Sequence, residues 1–191
     1  MHAPRKILVI VAVLGSALTL SACSSTPNAA TTGSSASVSS DFNTADVNFA
    51  TNMAAHHQQA VDMSQMILDK SDIDPRVVTL AQEIKAAQLP EIKQMKTWLS
   101  DWGQKSSSMA GMDMGGSLMS DSDMAALKSS TGLEASKLFL TQMTVHHKGA
   151  ITMATTEVDT GKNADAIAVA KKIIAAQTTE IATMSDILST L

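Results

Sequence analysis

The chain has 191 residues, of which 45% are hydrophobic and only 3% aromatic, and its formal net charge is −4. That length allows one domain with a real core, while the acidic balance and scarce aromatic surface argue against nucleic-acid binding. A single cysteine, Cys23, excludes an intrachain disulfide and leaves no set of thiolates for a metal site.

Residues 1–23 read as a leader rather than as part of the fold. Arg5 and Lys6 form a positive start, and Ile7 to Leu20 is an apolar run of fourteen residues. A bilayer-spanning helix needs about twenty. The run ends at Leu20-Ser21-Ala22-Cys23, which resembles a bacterial lipobox and implies cleavage before Cys23 and lipidation of it. The plainer alternative is an ordinary secretory signal that contains a cysteine. Losing Arg5 and Lys6 would make the chain more acidic still. Residues 24–40 are mostly Ser, Thr, Ala and Gly. Such a composition cannot bury a core and acts as a flexible tether, on the order of 20–25 Å long as a coil. The remaining domain is 41–191.

This domain is expected to be all-α. No stretch alternates as a strand, and Ala, Met, Leu, Lys, Gln and Glu dominate. The first long helix should run from about Thr44 to Asp69. Asp74-Pro75 supplies a cap followed by proline at the first helical position, and the second helix should reach about Trp102 and stop near Gly103. Pro90 is expected to kink or interrupt it. A link over 104–124 follows, with a short helix from Ser122 to Ser129. The third long helix starts near Gly132-Leu133 and runs to about Asp159. Thr160 to Asn163 form a turn and cap, and the fourth long helix continues to the C-terminus.

The first and third long helices carry one pattern twice. Phe49, Met53, His56, His57, Ala60 and Met63 recur as Phe139, Met143, His146, His147, Ala150 and Met153, ninety positions on. These pairs hold every histidine beyond His2. At about 100° per residue each set falls within an arc of roughly 120°, so an otherwise apolar face carries two imidazoles among thioethers. The second and fourth helices repeat as well. Gln88, Glu91, Ile92 and Met95 match Gln177, Glu180, Ile181 and Met184. The unit is a helix pair used twice, which predicts a four-helix bundle with approximate two-fold symmetry. Gln88, Gln177, Glu91 and Glu180 would then be polar groups on apolar stripes. Each needs a partner, and the histidines are the obvious ones.

The link has its own bias. Met109, Met112, Met114, Met119 and Met124 lie within sixteen residues that also contain three Gly and three Asp. They show no helical or strand period and are poorly explained as core. They read as a metal-capture arm or as a flexible insertion of biased composition.

Thioether is a soft ligand that favours Cu(I), and imidazole suits Cu(I) and Cu(II) alike. In Met-x-x-His-His the Met and each His are neighbours on one face. The adjacent His residues diverge by about 100°, so one His from each motif should reach a shared or adjacent site. The other should bond to Glu91 or Glu180, or serve a second ion. Simple packing of hydrogen-bonded imidazoles would explain one such His; four in a repeated pattern point to metal. For Met63, Met95, Met153 and Met184 taken singly, and for the unrepeated Met66, packing is the simpler account. A carboxylate di-iron bundle needs Glu-x-x-His on two helices, and neither His has a Glu three residues before it. Zinc hydrolase chemistry lacks His-Glu-x-x-His, and no phosphate loop or nucleophile elbow is present.

At these residues the chain resembles the bacterial family known as domain of unknown function 305, over roughly residues 42–191. The resemblance rests on both Met-x-x-His-His-x-x-Ala-x-x-Met segments, both Gln-x-x-Glu-Ile-x-x-Met segments and Trp98-Leu99. One departure is Ala135-Ser136, where the family often has Phe-Asp. The resemblance implies a ferritin-like four-helix bundle, secreted or lipid-anchored, that binds copper in the cell envelope. By position it places ligands at Met53, His56, His57, Met63, Met143, His146, His147 and Met153.

The leading expectation is therefore an extracytoplasmic protein, anchored to the membrane by lipid on Cys23, that buffers copper or delivers it to a copper-handling partner protein. Cu(I) is favoured over Cu(II), and iron and zinc fit less well. Two other readings stand beside it: a metal-cycling oxidoreductase of ferritin-like type, with Glu91 and Glu180 as proton acceptors or bridging ligands, and a metal-free envelope interaction module.

Overall fold

The structure is a computed structural model that describes residues 41–104 and 118–191. The leader, the tether, Cys23, Met109, Met112 and Met114 fall outside the described residues. Among the described residues, five helices account for the regular structure: α1 (Thr44–Leu68), α2 (Pro75–Asp101), α3 (Asp121–Ser129), α4 (Gly132–Thr160) and α5 (Ala164–Leu188). No described residue lies in a strand. No described helix is long and apolar enough to cross a membrane.

Local chemistry sets the helix starts. Asn43 caps α1 by accepting from the N–H groups of Ala45 and Asp46, and Asp46 accepts in return from the Asn43 N–H. Asp74 caps α2 with Pro75 at the first helical position. Ser120 and Asp123 form the same reciprocal box at α3, and Asn163 caps α5. Pro90 does not interrupt its helix: α2 is continuous from Pro75 to Asp101. Pro90 is exposed, so the Ala86 carbonyl that loses its N–H partner faces water instead of apolar core.

Helices α1 and α2 form one hairpin, α4 and α5 form another, and the hairpins meet through α1 and α4. The short α3 packs on both α1 and α4. Two apolar clusters fill the interior. The first joins Ala60, Met63 and Ile67 of α1 to Phe139, Leu140 and Met143 of α4, with Leu80 and Ile84 of α2 and Met184 of α5. The second joins Phe49, Met53 and Ala54 to Ala150 and Ala154, with Met95 of α2 and Ile173 of α5. The numbering rises on α1 as it falls on α4, so these helices are antiparallel. Each large buried side chain in these clusters contributes about 1.5–3 kcal/mol of burial free energy.

The repeat extends to how each hairpin turn is fastened. Near the α1–α2 turn, the Asp74 N–H donates to Ser136 Oγ at 3.2 Å. At the α4–α5 turn, the N–H groups of Lys162 and Asn163 donate to Asp46 Oδ1 at 3.0 and 2.8 Å. Asp46 and Ser136 are equivalent positions of the repeat, and both are fully buried. Ala135-Ser136 thus forms a clasp of its own, with Ala135 inside the first cluster.

The end of the Met-rich link is also fastened. Gln59 donates to the Met119 carbonyl at 2.9 Å and accepts from its N–H at 2.8 Å. Met119 and Met124 pack against the first cluster. These two therefore do have a place against the core, contrary to expectation. Their apolar contacts come from α3 lying across α1 and α4, which a search for periodicity within the link does not detect.

Candidate metal centre

All four motif imidazoles lie between the two apolar clusters, on the facing helices α1 and α4. His56, His57, His146 and His147 are each fully buried. Adjacent histidines on one helix point about 100° apart, and the two members of each pair take different surroundings. His56 and His146 meet across the hairpin interface with ring centroids 3.6 Å apart and planes 32° apart. The outer histidines turn toward the flanking helices. His57 Nε2 pairs with Glu91 Oε2 of α2 at 2.8 Å, and His147 Nε2 with Glu180 Oε2 of α5 at 2.6 Å. Both carboxylates remain partly exposed, at 27% and 20%, so they join the imidazole layer to the surface.

Electrostatics favour a neutral ring at His146. Burial pushes the His146 imidazole well below its usual value, and the neighbouring His56, His147 and His57 push it the same way. A neutral imidazole keeps a nitrogen lone pair free for a metal. Neither ring nitrogen of His146 has a hydrogen-bond partner, which is costly for a buried polar group. Nδ1 of His57 and of His147 is likewise unpartnered, as is Oε1 of Gln88 and of Gln177. Both glutamines are buried one turn from the paired glutamates.

The sulfur atoms are arranged around this layer. Met53 and Met143 precede the central histidines by one helical turn and are fully buried. Met95 and Met184 are also fully buried, and the Thr144 hydroxyl donates to Met184 Sδ at 3.7 Å. Met63 is buried in the first cluster. Met153 is only partly buried, packs against the second cluster and lines an open pocket. Among the described residues, no group of three or more His, Cys, Asp or Glu side chains converges as a metal cage. An ion in this layer would have imidazoles and buried thioethers to draw on, a donor set that suits a soft metal.

The structure thus brings His56 together with His146, and His57 and His147 with their glutamates. It does not bring Met63 or Met153 to the central rings along their own helices, since each lies seven residues, about 10 Å of helix rise, beyond the central His. Sequence reasoning missed two buried acidic groups, Asp46 of α1 and Glu157 of α4. Glu157 of α4 is 1% exposed, and burial followed by the adjacent Asp46 pushes its carboxyl up to about 8. Its signal was faint: a lone Glu near a helix end, without a repeat partner.

Fold and site together define a duplicated helical hairpin with imidazole and thioether turned inward. The chain belongs to the family described as domain of unknown function DUF305, whose model matches residues 46–188. Solved structures agree. A DUF305 protein from Streptomyces coelicolor, described as secreted, is 34% identical with a TM-score of 0.71, over 76% of this chain and 91% of that one. A DUF305 fragment from Deinococcus radiodurans is 29% identical with a TM-score of 0.70, over 78% and 98%. The protein CopM in its Cu(I)-bound form is 30% identical with a TM-score of 0.64, over 76% and 96%, and CopM has also been solved with Cu(II) and with silver. No curated protein matches the chain.

Proposed function

We propose that this protein binds copper outside the cytoplasm, to buffer it or hand it on. The observation that carries the reading is the fully buried His56–His146 ring pair, with both His146 nitrogens unpartnered and methionine one turn away on each helix. Copper-bound and silver-bound CopM, similar along almost its whole length, support the choice of metal. The secreted description of the Streptomyces relative supports the location.

In this reading His56 and His146 supply the first two ligands, and Met53 and Met143 supply sulfur. Two neutral imidazoles with thioether favour Cu(I) over Cu(II), and disfavour iron and zinc. His57 and His147, held by Glu91 and Glu180, form the outer part of the site and give an ion or proton a route from the partly exposed carboxylates. Met63 and Met153 stay with the packing at either end of the sulfur stripe. Lipid on Cys23 would tether the domain to the membrane through residues 24–40. Met109, Met112 and Met114, with Met119 and Met124 fastened against the bundle at the end of the link, would act as a capture arm for copper. In this reading the role is binding rather than catalysis.

A Cu(I) titration of residues 41–191 against a competing chelator tests the site. His56→Ala and His146→Ala should each weaken binding by about 100-fold, and His57→Ala and His147→Ala by about 10-fold. Unchanged affinity in His146→Ala protein with native helix content would reject the assignment. Turnover by the copper-loaded protein in an oxidase assay would favour the oxidoreductase reading.

A further inference from the structure

The repeat builds one groove twice, and α3 fills only one of the two copies. α3 lies across the C-terminal half of α1 and the N-terminal half of α4. Its Leu127 is fully buried in the cluster that holds Met63 and Phe139, with Met66 and Leu138 packed against the same cluster. Three polar side chains fasten this segment. Gln59 holds the Met119 backbone, Gln142 donates to the Asp123 carbonyl at 2.9 Å, and Lys70 donates to the carbonyls of Lys128 and Ser130 at 2.8 Å.

The ninety-position repeat carries this seat to the other end of the same two helices. Met63 corresponds to Met153, Phe139 to Phe49 and Gln142 to Asn52. There the place is an open groove of about 380 Å³, lined by residues of α1 and α4 alone, with Phe49, Asn52 and Met153 among them. Phe139 and Met63 are wholly enclosed, whereas Phe49 is 5% exposed and Met153 is only partly buried. The buried Oδ1 of Asn52 has no hydrogen-bond donor. The sequence before α1 supplies no counterpart of α3. Residues 31–40 precede α1 as α3 precedes α4, and they are Thr, Gly, Ser, Ala and Val, without a Leu or Met to act as Leu127 does. The rim is more polar than that of the filled groove. Asn48 and Thr156, both exposed, stand where the other half has Leu138 and Met66. An apolar floor within a polar rim suits a surface that binds and releases a partner.

We propose that this groove docks a short amphipathic helix of a partner protein, with Leu and Met on its apolar face. The occupied groove supplies the pattern, and helix-in-groove docking is a common recognition mode. A leucine of the partner seats on Phe49 and Met153, as Leu127 seats with Phe139 and Met63. In the same register the start of the partner helix lies beside Asn52, as the third residue of α3 lies beside Gln142. First-turn N–H groups have no partner within their own helix, so one of them satisfies Asn52 Oδ1. Gly149 and Thr160 stand in place of Gln59 and Lys70. They provide neither the amide clasp nor the cation that hold α3, so the partner is held reversibly.

The probe is a synthetic peptide of residues 118–130, the occupant of the filled groove, titrated into isotope-labelled protein without copper and followed by amide chemical shifts. It should shift Asn48, Asn52, Met153 and Thr156. A peptide carrying Leu127→Asp should bind at least about tenfold more weakly. In the protein, Asn48→Arg at the exposed rim should abolish binding with helix content unchanged. Asn48→Leu combined with Thr156→Met, which rebuilds the apolar rim of the other half, should tighten binding about tenfold. Three results would overturn the proposal: no shifts in either the unaltered or the rebuilt protein, shifts confined to residues around Gln59 and Gln142, or equal binding of the Leu127→Asp peptide. Concentration-dependent shifts at the groove without peptide, with sedimentation as a dimer, would also overturn it by making a second copy the occupant.

Discussion

At the scale of single residues, the decisive quantity is the cost of burying polar atoms without partners. Glu157 illustrates it. Its carboxyl sits near 8 in the folded protein against 4.5 for the free side chain, because burial and then the adjacent Asp46 disfavour its charge. Between those values the native state holds a proton that the unfolded chain has lost. Stability contributed by neutral Glu157 is thus fully present below about pH 4.5 and falls as pH rises toward 8. Asp46 behaves in the opposite sense. Its carboxyl is lowered despite burial, through backbone hydrogen bonds from Asn163 and Asn43, so its contribution is present above its ordinary value and lost in stronger acid. Urea denaturation should show a maximum in mildly acidic solution. Glu157→Gln should flatten the decline between pH 5 and 8, and an unchanged decline would show that another group causes it. The same accounting applies to His146, whose two unpartnered nitrogens are costly in the metal-free protein and would be relieved by a bound ion.

At the scale of elements, the turns and the link carry the strain and the fastening. Gly161 follows α4 in ordinary extended backbone, with φ −66°. Its need for glycine is therefore spatial. A Cβ there would lie 2.6 Å from the Glu157 carbonyl oxygen and against the Glu157 carboxyl. Gly161→Ala should cost about 1–3 kcal/mol and lower the melting temperature, with the largest amide shifts at the α4–α5 turn. Gln59→Ala removes both bonds to the Met119 backbone. It should cost about 1–2 kcal/mol and speed hydrogen exchange at the Met119 amide, while exchange in α5 stays unchanged. Elements were also the level most legible in the sequence. The Asp74 cap with proline at position 75, the turn and cap over Thr160 to Asn163 and a period of 3.6 placed five helices to within a few residues, because those signals are local; the caps at Asn43 and Ser120 went unread. Local reasoning did not separate a kink from an interruption at Pro90, where the outcome depends on which side of the helix faces water. It failed at Met119 and Met124, whose partners lie about sixty residues earlier in the chain or on α4. In the site, divergence of adjacent histidines by about 100° foretold one ring per helix at the interface and one against a glutamate. The Asp46–Glu157 pair was illegible, since its members are 111 positions apart and only the second hairpin has it.

At the scale of the whole molecule, the site is the junction between two similar hairpins. His56 belongs to one and His146 to the other, and the sulfur-bearing helices converge from both sides. An ion held by both rings would add to the packing of α1 on α4 and to the Asp74–Ser136 and Asp46–Asn163 clasps that already join the halves. Such an ion binds the folded state and not the unfolded chain, so it adds stability to the entire domain, about 2.7 kcal/mol when free ligand is at 100 times its dissociation constant. Scanning calorimetry under reducing, oxygen-free conditions should therefore show a single transition that moves upward with Cu(I), and with Ag(I), which is equally soft. Zn(II) at the same concentration should move it less. Combining His56→Ala with His146→Ala should cost little more shift than either change alone, because each removes the same bridge. Two transitions, only one of them responsive to metal, would instead place the ion within one hairpin and uncouple the duplication from the site.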